Sequence, residues 1–148
     1  MRALAFALVV ALGLWLTLLS VAPVAIGSSS PAAVLTAGAT YTAGSLVCHQ
    51  QEQRSFVIAG RQMPVCARCT GLYVSAFIGG IVAFGGVRRH RIGTRARWVL
   101  AALAIPTVAS WSTDYVGLTH TTNVTRALLA LPLGAVAGWI VITLLLEP

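Results

Sequence analysis

Residues 3–26 form 24 consecutive positions without a charged side chain, more than the roughly 20 apolar residues that cross the hydrocarbon core of a bilayer. A signal peptide competes with a membrane helix here, with Arg2 as its basic start and the small residues 27–31 after it. A secretory apolar core runs only about 7–15 residues, however, so a retained helix is the expectation. Three further apolar stretches follow, at 70–87, 98–113 and 126–146. The chain of 148 residues carries only ten basic and three acidic side chains. A water-soluble domain has a charged fraction near 25%, roughly, and these few charges cannot cover such a surface. The sequence therefore predicts a single all-α membrane domain, a bundle of about four transmembrane helices whose main partner is the lipid bilayer.

The spans differ in kind. The second and fourth contain small residues at close spacing, Gly79 and Gly80 in one, Gly134 and Gly138 in the other, which let helices approach closely in lipid. Pro106 lies inside the third, where neighbours can satisfy the freed carbonyl and a kink is expected rather than a break. Residues 31–47 are uncharged and only mildly apolar. They suit a short interfacial or re-entrant helix, or an ordered loop, better than a full span.

Charge sets the expected topology. All ten basic residues are arginine, and five of them, Arg88, Arg89, Arg91, Arg95 and Arg97, fall in 88–97. A basic loop between two apolar spans is what the positive-inside rule produces, and no soluble module is there to present it to nucleic acid. With 88–97 in the cytoplasm, four spans place both termini in the cytoplasm. The polar loop 48–69 and the connection 113–125 then face outside. Arg2 agrees with this arrangement, while Arg54, Arg61 and Arg68 dissent but are outnumbered.

The chemistry concentrates in the external loop. Cys48-His49 and Cys66-Ala67-Arg68-Cys69 together offer three thiols and an imidazole, the donor count of a tetrahedral zinc site. Such a site would hold zinc or another thiophilic metal ion, with Cys48, His49, Cys66 and Cys69 as ligands or with His49 beside them. It requires the three sulfurs to converge to within about 4 Å. A redox dithiol fits the same residues. Cys66-x-x-Cys69 precedes a helix whose N-terminus stabilises a thiolate, and Arg68 adds positive charge. A disulfide or metal knuckle that only holds the loop is the third reading. Thr70 after Cys69 argues against covalent haem attachment.

A second polar group comprises Arg54, Arg68, Asp114, Asn123 and Arg126. Arg126 stands in the first turn of the last span, where the helix dipole opposes a cation. It therefore calls for an ion partner, Asp114 or Glu52, or an anionic ligand, unless it merely snorkels to the interface. Asp114, one of three acids in the chain and 12 residues earlier, is the expected partner. Asn123 suits the cap of that helix. His90 and His120 read as loop residues rather than ligands.

The segment Cys48-His49-Gln50, Arg54-Ser55-Phe56, Gly60 and Pro64-Val65-Cys66-Ala67-Arg68-Cys69-Thr70-Gly71-Leu72-Tyr73 resembles a family of small predicted membrane proteins, domain of unknown function 2085. Asp114, Asn123 and Arg126 look like its downstream polar positions, with Tyr115 where the family pattern has glycine. The resemblance covers roughly residues 45 to 135. It implies a membrane fold with a shared polar site and names no reaction. Three functions stay open on these grounds. They are a metal-binding membrane protein, a membrane thiol–disulfide oxidoreductase, and a non-catalytic accessory subunit, with homo-oligomer or membrane-complex partners undefined.

Overall fold

The computed structural model describes residues 1–86 and 95–147. Among them the elements run α1 (Arg2–Ala25), α2 (Pro31–Val47), β1 (Ser55–Ile58), β2 (Arg61–Cys66), α3 (Ala67–Phe84), α4 (Arg95–Tyr115) and α5 (Asn123–Leu146). A single 3₁₀ turn, Glu52–Arg54, leads into β1.

The long helices expose apolar side chains and pair the hydroxyls that lie among them. Leu4, Phe6, Leu14 and Val21 on α1 all face outward. Thr17 and Ser20 donate to the carbonyls of Gly13 and Leu16 at 2.9 and 2.8 Å, so neither exposed hydroxyl is left unpaired in an apolar solvent. Helices α1, α3 and α5 are long and apolar enough to cross a bilayer. Helix α4 has 21 residues and continues through Pro106, but its last turns carry Ser110, Ser112, Thr113 and Asp114 and dilute its apolar character. The architecture is a membrane helix bundle of about four long helices.

Contacts give their directions. A Cβ added to Gly71 would fall on the carbonyl of Ala127, and one added to Gly79 on that of Ala135. The offset is the same in both pairs, so α3 and α5 run parallel with their backbones touching. From the other side, a Cβ at Gly138 would strike the Ala76 carbonyl. Helix α1 runs antiparallel to α3, with Trp15 edge-on to Tyr73 and Phe6 edge-on to Phe84, ring centroids 6.3 and 6.4 Å apart. Helix α4 is antiparallel to α5. Thr107 donates to the Leu129 carbonyl at 2.9 Å, and Asp114 meets Arg126.

One end of this bundle therefore collects the end of α1, the starts of α3 and α5 and the end of α4. The segment 48–66 is not a plain loop there. It closes into an antiparallel hairpin with Ser55 opposite Cys66 and Ile58 opposite Arg61. Ala59 and Gly60 both have positive φ, 51° and 74°, the two-residue turn whose twist suits a hairpin. Met63 and Val65 on β2 bury against Leu19 and Cys48, with Trp15, Phe56 and Tyr73 packed around them.

Several boundaries differ from the expected ones. Helix α3 begins at Ala67 rather than 70, so Arg68 and Cys69 belong to its first turn. Helix α5 starts at Asn123. Arg95 and Arg97 open α4 instead of ending a loop. The rest of the basic stretch, with Arg88, Arg89, His90 and Arg91, lies outside the described residues. Residues 31–47 form a 17-residue helix with Pro31 in its first turn.

Candidate functional site

Three sulfurs meet where α2, β2 and α3 converge. The Sγ atoms of Cys48, Cys66 and Cys69 all lie within 4.8 Å of one another, and none is in a disulfide. Cys48 ends α2 in extended backbone, φ −145° and ψ 139°. Successive side chains then point to opposite faces. Cys48 turns inward, and His49 turns outward and is exposed. The imidazole is thus not one of the converging groups. Cys66 occupies the N-cap of α3 and Cys69 the third helical position, which puts both thiols on the helix end. The Cys66 amide donates to Cys48 Sγ at 3.2 Å.

The Cys66 thiol is pushed down to about 5. Its Cys69 neighbour donates a hydrogen bond to the sulfur, burial opposes the shift, and the backbone amides of Cys69 and Arg68 together with Cys48 favour the anion. Arg68 acts on this sulfur through its amide and not through its guanidinium. That corrects the expectation that its positive side chain attends the thiolate.

The guanidinium goes elsewhere. Arg68 Nη2 donates to Asp114 Oδ2 at 2.8 Å and to Ser110 Oγ at 3.2 Å. Arg126 Nε donates to the same Oδ2 at 3.0 Å. All three charged residues are only 8% exposed. The carboxylate also accepts from the Thr121 amide and hydroxyl at 3.1 and 2.6 Å and from Thr119 Oγ1 at 3.2 Å. It is held by two helices and the connection between α4 and α5. Arg126 Nη1 reaches Asn123 Oδ1 at 2.9 Å and the Gln53 carbonyl at 3.3 Å.

Asn123 is not the cap of α5. Thr122 is, accepting from the Thr125 amide at 3.2 Å. Asn123 instead donates to the Ser55 carbonyl at 2.9 Å and so ties the hairpin to α5. A glutamine frame holds the other side of the hairpin. Gln50, with φ of 47°, donates to the carbonyls of Tyr41 and Pro64 at 2.7 and 2.8 Å. Gln62 donates to the Gln50 carbonyl at 2.5 Å, and the Tyr41 hydroxyl donates to the Gln62 carbonyl. A left-handed backbone at a residue with a long side chain is costly, and these bonds hold it.

A cavity of about 420 Å³ adjoins the sulfurs. The three cysteines, Arg54 and Arg68 line it, with Gln50, Gln51 and Thr107 and apolar side chains of α3 and α4, among them Leu72 and Trp111. His49 also lines it. His120 is exposed.

Residues 48–140 match the family model described as predicted membrane protein, DUF2085. The chain belongs to this family. The region matched to DUF2085 begins at Cys48 itself and contains the sulfur cluster, Asp114 and both of its arginines, while α1 and α2 lie outside it. An uncharacterized protein of Methanocaldococcus jannaschii is 34% identical over 102 residues, which cover 69% of this chain and 63% of that protein. The chain thus spans under two thirds of that relative's length. An uncharacterized protein of Methanothermobacter thermautotrophicus is 37% identical over 89 residues, 60% of this chain and 78% of the relative. No solved structure matches this DUF2085 chain.

The sequence gives no role to Ser110, Thr121, Gln62 and Tyr41, and Gln50 enters it only as part of the Cys48-His49-Gln50 motif. Ser110 sits one turn before Asp114 on α4, a spacing that puts the two on one face, so a polar face on an apolar helix was the available signal. The glutamines gave none, because their partners are main-chain carbonyls brought close only by the hairpin.

Proposed function

We propose that this DUF2085 protein holds a thiophilic metal ion, zinc being the prime case, on Cys48, Cys66 and Cys69 at the outer face of the membrane. The supporting observation is the convergence of three sulfurs from three elements. Tetrahedral thiolate coordination at about 2.3 Å per bond spaces sulfurs at about 3.8 Å, so small side-chain rotations would close the triangle. The Cys66 amide on Cys48 sulfur is the kind of outer contact that steadies a metal thiolate. With His49 outside the sulfur cluster and on the wall of the adjoining cavity, the fourth position would open toward that cavity. Three protein ligands and an open position characterise sites that exchange a ligand, rather than closed structural sites. In the same reading both termini and the Arg-rich segment 88–97 are cytoplasmic, as the arginine asymmetry favours.

One observation favours a thiol-redox reading instead, the Cys66 thiol pushed down to about 5 at the start of a helix, a property of reactive dithiols. Metal analysis and thiol counting on detergent-purified protein separate the two. About one ion per chain with three unoxidised thiols, and loss of the ion in each Cys→Ser variant, is the expected result. A metal-free protein whose Cys66–Cys69 disulfide cycles with a dithiol reductant would replace the metal reading with the redox one.

A further inference from the structure

The Arg68–Asp114–Arg126 cluster holds two cations on one carboxylate. Glu52 and Glu147 are the only other acids in the chain, and neither pairs with these arginines among the described residues. The cluster is buried and keeps a net positive charge, which a medium of low dielectric penalises. Its donors are incompletely used as well. Arg68 has five N–H groups, and its acceptors, Ser110 and Asp114, both sit on Nη2. Nε is buried with no acceptor. Buried guanidinium donors seldom stay unpaired.

Arg68 also lines the 420 Å³ cavity, together with Arg54. His49, Gln50, Gln51 and Thr107 add polar groups to the wall, and the remainder includes a set of apolar side chains. Leu72, Val108, Trp111 and Tyr115 line it, the last three on α4 and all exposed. A cavity lined both by two arginines and by exposed apolar residues of a membrane helix matches a molecule with an anionic head and an apolar tail. We infer that this cavity binds one anionic amphiphile, its phosphate or carboxylate on Arg68 and Arg54 and its hydrocarbon along Val108, Trp111 and Tyr115. The planar donor edge of arginine suits either oxyanion. The site does not require the sulfurs to hold a metal.

Native mass spectrometry of the full chain in an uncharged maltoside detergent tests this, with dodecyl phosphate and inorganic phosphate as probes. One saturable dodecyl phosphate per chain is expected, binding at least about tenfold more tightly than inorganic phosphate because the tail contributes apolar burial. Arg54→Gln and Val108→Trp should each weaken it about tenfold, one by removing a charged hydrogen bond and the other by filling the cavity. Neither change disturbs the ion cluster. Arg54 has no side-chain hydrogen bond among the described residues, and Val108 is exposed. Equal affinity for inorganic phosphate would leave an anion site with no place for a tail and overturn the amphiphile. Multiple non-saturating adducts, unchanged in both variants, would overturn the site altogether.

Discussion

Asp114 binds two guanidiniums while each arginine has only one carboxylate, and this asymmetry has measurable consequences. Asp114→Asn leaves two buried cations facing each other, whereas Arg126→Gln leaves Asp114 still paired with Arg68. Breaking a buried ion pair typically costs about 3–5 kcal/mol. Asp114→Asn should fall at or above the top of that range and Arg126→Gln at its lower end. Adding Arg126→Gln to Asp114→Asn should recover part of the loss. Thermal unfolding in detergent checks this, and additive effects would show that the groups do not act as a unit. At the same scale, Cys66 should alkylate with a midpoint near pH 5 in metal-free protein, against about 8.5 for an ordinary thiol. Its folded-state value lies below the unfolded one. The stability it contributes is therefore full above about pH 8.5 and is lost as pH falls through 5. The Arg126–Asp114 partnership was legible because a first-turn cation needs a partner and few acids exist. Arg68 could be grouped with Asp114 from the sequence, but their bond could not be read, since two residues of sequence separation suggested Cys66 and only tertiary packing brings α4 alongside.

Among the elements, the parallel pair α3 and α5 is the most exacting. Gly79 touches the Ala135 backbone, so Gly79→Ala has no side chain to displace and the helices must part. Overpacking of this kind costs about 1–3 kcal/mol. Gly38, in α2, has no atom near its added Cβ, so Gly38→Ala should stabilise by about 0.4–1 kcal/mol through reduced freedom of the unfolded chain. Opposite signs for two identical chemical changes, read by thermal unfolding, are the expected outcome. A destabilised Gly38→Ala would mean that α2 is packed more tightly than its contacts indicate. The small-residue spacing on both spans announced close approach, though not which helices approach. The hairpin was hidden for a different reason. Its strands are 4 and 6 residues long, and Pro64 inside the second reads against a strand, being tolerated only because it lies in a two-stranded ribbon with a free edge.

At the scale of the whole molecule, helix directions and charge make one joint claim. Helices α1 and α4 run one way and α3 and α5 the other, so the sulfur cluster, the hairpin turn at Ala59-Gly60 and Asp114 share one end of the bundle. The end of α3 and the start of α4 lie at the opposite end, and the sequence between them carries most of the arginines that the positive-inside rule assigns to the cytoplasm. The three helices long and apolar enough to cross a bilayer, α1, α3 and α5, were legible from uncharged length. The meeting of the two polar segments was not, because nothing local in 48–69 or 113–126 says that both pack on the same helix ends. A membrane-impermeant maleimide on intact cells tests the orientation. Ala59→Cys lies at an exposed turn with no helix to protect it and should label from outside, whereas Ile92→Cys should label only after the membrane is permeabilised. Peptide mapping assigns each label to its residue and separates it from reaction at the native thiols. Labelling at position 92 on intact cells, with position 59 silent, would turn the bundle over. The thiols and the cationic cavity would then face the cytoplasm, where a reducing environment disfavours a lasting disulfide and leaves the three cysteines available to a metal. Labelling at both positions would mean that the chain does not alternate across the bilayer as its helix directions require.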